Sequence, residues 1–144
     1  MIAIYLFYNI ASGKQAWLGF SKEFCHCNVI TYDGEHWINF DMDRKGIHSK
    51  VLQVTSGNAL LRGLKIIKSL TAMVCADIQE RKSVSWKPFW VRSCNELDRY
   101  LTGIDVGFTF NPVNFYQKLL GLNGRRNYEI LYAWRRKYGD IRRR

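Results

Sequence analysis

Proline is nearly absent from this chain, with only Pro88 and Pro112 in 144 residues. Neither a Pro-rich linker nor an internal repeat or low-complexity segment divides it. Cysteine is also scarce: Cys25, Cys27, Cys75 and Cys94 contain no C-x-x-C pair, which argues against a thioredoxin-like redox motif and against a closed zinc site built from paired ligands. In a strand, neighbouring side chains point to opposite faces, so Cys25 and Cys27 could share an ion, with a distant ligand such as Cys75, but His26 could not join them. Neither metal nor cofactor is expected, and Cys25 and Cys27 read as core. No apolar run reaches the length of a bilayer span. The opening MIAIYLFYNI lacks a basic n-region and reads as a buried strand rather than a signal peptide.

Acidic residues are few, 12 against 22 lysines and arginines, giving a net charge of +10. The excess is uneven. Arg125, Arg126, Arg135, Arg136, Lys137, Arg142, Arg143 and Arg144 all fall in the last twenty residues, a pattern suited to nucleic acid, an anionic surface or an acidic partner, and equally to a solvated basic face. With 47% hydrophobic and 15% aromatic residues, the chain can bury a core without disulfides, so a reducing compartment is expected.

Along the chain, CHCNVITY and HWINFDM around Asp33-Gly34-Glu35 predict a β-hairpin with a D-G turn. A strand follows at Lys50 to Val54, then a short helix in NALLRGLKII and a central strand in SLTAMVCADIQ. The polar ERKSVSW and Pro88 lead to WVRSCNELDRYL, where Ser93 and Glu96 form a capping-box pattern ahead of Leu97, Tyr100 and Leu101. The helix should end near Gly103. A second helix is predicted in NPVNFYQKLL, capped by Asn111, entered at Pro112 and stopped by Gly121. NYEILYAWRRKYG reads as a last amphipathic helix with Ile130, Leu131 and Trp134 on one face and Arg135, Arg136 and Lys137 towards the other. The whole is α+β, an antiparallel sheet packed against helices. Residues 1–122 form the expected domain and 123–144 a basic helix with an Arg-rich tail.

The capping box makes Cys94 the first helical residue, where unpaired backbone N–H groups and the helix dipole favour a thiolate. A nucleophile there requires a base. A hairpin turning at Asp33-Gly34 pairs Tyr32 with Glu35, Ile30 with Trp37, Asn28 with Asn39 and His26 with Asp41. One face then carries His26, Asn28, Asn39 and Asp41, while Cys25, Cys27, Val29, Ile38 and Phe40 point the other way. A carboxylate beside an imidazole fixes its tautomer and stabilises its protonated form. A longer turn would move the pairing, so Asp41 is preferred as the orienting group and Asn39 remains open. His36 and His48 show no evident partner.

This order of elements resembles the circularly permuted papain-like hydrolases of the NlpC superfamily, in which histidine precedes cysteine. CHCNVITYDGEHWINFD is similar to the family's histidine hairpin, SCNELDRYL to its C-x-E-L cysteine helix and NPVNFYQKLL to its following helix. The resemblance covers roughly residues 24 to 120 and implies a papain-like fold for residues 1–122. It further implies Cys94 as nucleophile, His26 as general base and acid, and Asp41 as orienter. Phage proteins of similar length show the same order, implying a phage protein in the host cytoplasm or virion. The family's activity would be hydrolysis or acyl transfer at a peptide, amide or ester bond. The alternative is a non-catalytic basic virion or binding protein whose Arg-rich tail contacts nucleic acid or an acidic partner.

Overall fold

The computed structural model describes residues 1–9, 24–43, 45–79, 93–107, 109, 111–125 and 127–136. The polar stretch ERKSVSW and Pro88 lie outside them. β1 (Ile2–Tyr8), β2 (His26–Tyr32), β3 (Trp37–Asp43), β4 (Gly46–Leu52), β5 (Leu70–Ile78) and β6 (Tyr128–Arg135) build one sheet in the order β4-β3-β2-β1-β5-β6. Every adjacent pair is antiparallel. Three helices accompany it: α1 (Gly57–Lys65), α2 (Cys94–Thr102) and α3 (Pro112–Leu120).

The apolar run of β1 suits a strand covered on both faces. Ala3, Tyr5 and Phe7 join Cys27, Val29, Val74, Phe115 and Leu119 in one core, against which Cys94 and Leu101 of α2 also pack. Ile4 and Leu6 enter a second core with Ile30, Trp37, Met73 and α1 residues Leu60 and Leu64. The sheet thus lies between α1 on one side and α2 with α3 on the other. Tyr5 meets Phe115 edge-on at 5.5 Å, a favoured aromatic geometry.

The expected α+β papain-like architecture is not what forms. Six antiparallel strands dominate the molecule, and each of the three helices has only nine residues. Part of the discrepancy lies in the stretch expected to be the last helix, which is β6. Its burial alternates residue by residue from Tyr128 to Arg135, the period of a strand rather than a helix. β6 pairs with β5, with a register shift between Cys75 and Ala76 where Tyr132 and Ile130 are the successive partners. Such a bulge redirects side chains. Tyr128 and Ile130 pack with the α2–α3 core, whereas Tyr132 and Trp134 pack with the α1 core. Leu131, left out of the pairing, is exposed. Residues 128–135 therefore complete the same sheet as β1 to β5.

The remaining elements agree more closely. The strand expected from Lys50 begins earlier, at Gly46. α2 ends at Gly103, whose φ of 67° is the left-handed conformation that glycine adopts without steric cost. Asn111 caps α3 through its side chain, which accepts from Asn114 N–H at 2.8 Å. No helix of the described residues is long and apolar enough to cross a membrane.

Candidate active site

Ser93 is the N-cap of α2, and its Oγ accepts from the Glu96 N–H at 3.4 Å. Cys94 is consequently the first residue of the helix. Its helix is held against the sheet at several points. Leu97 is buried, Tyr5 Oη–H donates to Thr102 Oγ1 at 2.9 Å, and Asn95 Nδ2–H donates to Thr109 O at 3.0 Å. These contacts leave little freedom in where the thiol sits.

The hairpin that carries His26 has a longer turn than a two-residue D-G connection. Tyr32 pairs with Trp37 and Ile30 with Asn39, leaving Asp33 to His36 as the loop. Asp33 Oδ1 accepts from the Glu35 N–H at 2.8 Å and the His36 N–H at 2.6 Å, and its own N–H donates to His36 O at 3.2 Å. The register is therefore displaced by two residues from the expected one. A displacement of two keeps every side chain on its face, whereas one would have reversed them all. Continued, the pairing sets Asp41 across from Asn28 and diagonal to His26, a separation that longer side chains still span.

His26 Nε2 lies 2.7 Å from Asp41 Oδ1, and the same oxygen accepts from the Met42 N–H at 2.7 Å. The second sequence candidate, Asn39, faces Ile30 instead, and its buried Oδ1 has no hydrogen-bond partner among the described residues. Cys94 is, after Asp41, the next group that raises the His26 pKa. The Tyr8 ring, 6.1 Å away between centroids, covers the imidazole.

The electrostatics follow from these contacts. Burial alone would disfavour the charged imidazole, but hydrogen bonds to Asp41 and Cys94 outweigh it and raise the His26 pKa to about 10. Asp41 is held below the usual carboxylate range, first by its hydrogen bond with His26. Cys94 falls well below an ordinary thiol: a hydrogen bond from Cys27 is the largest cause, burial opposes it, and His26 adds a hydrogen bond and its charge. All three shifts favour the charged form: thiolate at Cys94, imidazolium at His26 and carboxylate at Asp41.

Two participants escaped the sequence reading. Cys27, taken as core, is fully buried in the cluster against which Cys94 packs, and its thiol is the first influence lowering the Cys94 pKa. Asp98 lies one helical turn beyond Cys94 and is completely buried, with neither carboxyl oxygen in a hydrogen bond among the described residues. Burial first, and the Cys94 charge second, push the Asp98 pKa well up. The i, i+4 spacing of Cys94 and Asp98 was visible in SCNELDRYL; that this helical face meets Cys27 was not.

His48, expected to be unpartnered, places Nε2 2.9 Å from Asp43 Oδ1. Both side chains are about half exposed and no thiol accompanies them. Cys27 and Cys75 belong to cores on opposite faces of the sheet, so they cannot share the ion considered above. The basic residues are dispersed. Arg135 lies over Phe24 at 5.6 Å, and Arg136 donates through Nη1–H to Lys68 O at 2.7 Å and through Nη2–H to Lys65 O at 3.0 Å. Arg125 borders a separate cavity of about 500 Å³ with Lys118 and Asp105. Arg126, Lys137, Arg142, Arg143 and Arg144 lie outside the described residues.

No family model, curated protein or solved structure matches the chain.

Proposed function

We propose that the protein is a thiol hydrolase or acyltransferase acting on an amide or ester carbonyl, with Cys94 as nucleophile, His26 as proton carrier and Asp41 as orienter. The observation that carries this reading is the continuous series Asp41, His26, Cys94, ending at a helix N-terminus. The order along the chain, with histidine and aspartate before cysteine, also agrees with the hydrolases that the motifs resemble.

The Cys94 thiolate attacks the carbonyl carbon, and negative charge moves onto the oxygen. The Cys94 backbone N–H, unpaired within the helix as are all first-turn N–H groups, is placed to donate to that oxygen. Imidazolium His26 then gives its proton to the departing amine or alcohol, leaving a thioester on Cys94. Neutral His26 next takes a proton from water, or from an acceptor alcohol or amine, which attacks the thioester and frees the thiolate. Asp41 keeps the ring oriented and balances its charge throughout.

The direct test is the reaction with a p-nitrophenyl ester. The expected result is a burst of one equivalent of p-nitrophenolate with an acyl group mapped to Cys94, absent from Cys94→Ala and strongly slowed in His26→Ala. Equal release by wild type and both folded variants would end the proposal.

A further inference from the structure

Acyl transfer uses Cys94, His26 and Asp41, and leaves unexplained a second thiol against the nucleophile and a buried acid without a proper partner. Cys27 is the first core residue of β2 after His26, on the face where Cys94 packs. Cys94 packs against the core that holds Cys27, and both carboxyl oxygens of Asp98, one turn along α2 from Cys94, are buried without a hydrogen-bond partner among the described residues. No C-x-x-C motif announces this pair, because the two cysteines come from β2 and α2 and are 67 positions apart. Of the remaining described thiols, Cys25 is turned to Tyr8 O at 3.5 Å, and Cys75 lies in the other core.

We propose that Cys94 and Cys27 are a hydroperoxide-oxidisable dithiol, with Asp98 as the proton relay between Cys27 and the departing hydroxide. The chemistry is independent of any acyl substrate. The Cys94 thiolate attacks one peroxide oxygen; an S–O bond forms and the O–O bond breaks. The departing hydroxide takes the His26 imidazolium proton and leaves as water, and Cys94 is now a neutral sulfenic acid. Loss of the thiolate removes a charge that helped Asp98 keep its proton, so the carboxyl becomes a better proton donor to the leaving oxygen. The Cys27 sulfur attacks the Cys94 sulfur and the S–O bond breaks as Asp98 gives its proton to the departing hydroxide, which leaves as the second water. The Asp98 carboxylate takes the Cys27 proton and is again the neutral acid. Two thiols are oxidised to one disulfide and one hydrogen peroxide is reduced to two waters.

Burial of Cys27 and Asp98 gives this arrangement its specificity. A resolving thiol shielded from solvent cannot be oxidised first, and it closes the disulfide only after its neighbour has reacted. While the disulfide stands, the nucleophile is masked and protected from further oxidation.

The test uses the full chain, reduced, desalted and exposed to stoichiometric hydrogen peroxide at neutral pH, then blocked with N-ethylmaleimide and mapped without reductant by mass spectrometry. The expected result is a Cys27–Cys94 linked peptide that dithiothreitol reverses. Cys27→Ser should instead accumulate a Cys94 sulfenic acid that dimedone traps. Asp98→Asn should form the sulfenic acid at the wild-type rate and close the disulfide roughly tenfold more slowly. Wild-type protein that accumulates the dimedone adduct or sulfinic acid without the link, or that links Cys94 to Cys25 or Cys75, overturns the pair. A disulfide that closes as fast in folded Asp98→Asn as in wild type overturns the part given to Asp98. Since no acyl substrate is involved, failure here leaves the hydrolase reading standing, and failure there leaves this one.

Discussion

His26 Nε2 sits 2.7 Å from Asp41 Oδ1 although the register of β2 and β3, continued from Val29 and Phe40, places Asp41 opposite Asn28. The pair is diagonal, and it forms because both residues share a face and the imidazole spans the offset. The proposed orienting role thus depends on side-chain reach rather than direct cross-strand pairing, which separates Asp41 from Asn39 experimentally.

Asp41→Asn should slow turnover by about 10² or more, the usual scale of positioned proton transfer. It should also bring the His26 pKa down from about 10, since the Asp41 hydrogen bond is the largest influence raising it. Asn39→Ala should leave both quantities near wild type. Parallel pH–rate profiles on the ester substrate check this; equal losses in the two variants would remove Asp41 from its role.

Iodoacetamide should alkylate Cys94 rapidly well below the ordinary thiol pKa of about 8.5, and faster than Cys25, Cys27 or Cys75, whose pKa values are all raised, first by burial. His26→Ala removes a hydrogen bond and a positive charge from the thiolate, so the alkylation profile of Cys94 should move to higher pH. Peptide-resolved rates from pH 5 to 9 give the answer. A profile unchanged by His26→Ala would show that the two groups are not coupled.

The His26 pKa is raised on folding, so its contribution to stability is full below the unfolded value of about 6.5 and disappears as pH rises through about 10. Wild type should therefore lose stability relative to His26→Ala over that window. Asp98 is raised too, and its contribution is full below about 3.9. Above that pH the unfolded chain ionises Asp98 while the folded chain resists, so wild type should lose about 1.4 kcal/mol per pH unit relative to Asp98→Asn until the folded-state pKa is reached. Urea denaturation between pH 4 and 10 measures both, and flat differences would contradict both assignments.

Phe115→Ala should destabilise the fold by about 3–5 kcal/mol. Phe115 is fully buried and its ring meets Tyr5 and Phe7 at 5.5 and 6.0 Å, so truncation leaves a cavity beneath the helices that flank Cys94. A urea midpoint near wild type would show that α3 is not anchored there.

The features legible in the amino-acid order are those set by neighbours a few residues away. Ser93 before Glu96, Asn111 before Pro112 and Gly103 after Thr102 place the ends of α2 and α3, because a cap satisfies backbone groups within one turn. The alternation in HCNVITY places His26 and Cys27 on opposite sides of a strand. Cys94, His26 and Asp41, to which the proposed roles are given, could be named on this footing, since a register displaced by two residues preserves the face.

Long-range pairing decided the rest. YEILYAWR has apolar residues compatible with either period, and the free edge of β5 selects the strand by supplying a ladder of backbone partners. The sheet-dominated architecture follows from that choice, against the papain-like arrangement expected from short motifs. Likewise, nothing near Cys94 in the chain indicates a second thiol or the burial of Asp98. Both arise when α2 settles on the face of β2 that carries Cys27, a contact between segments far apart in sequence, whose chemistry exists only once the sheet has formed.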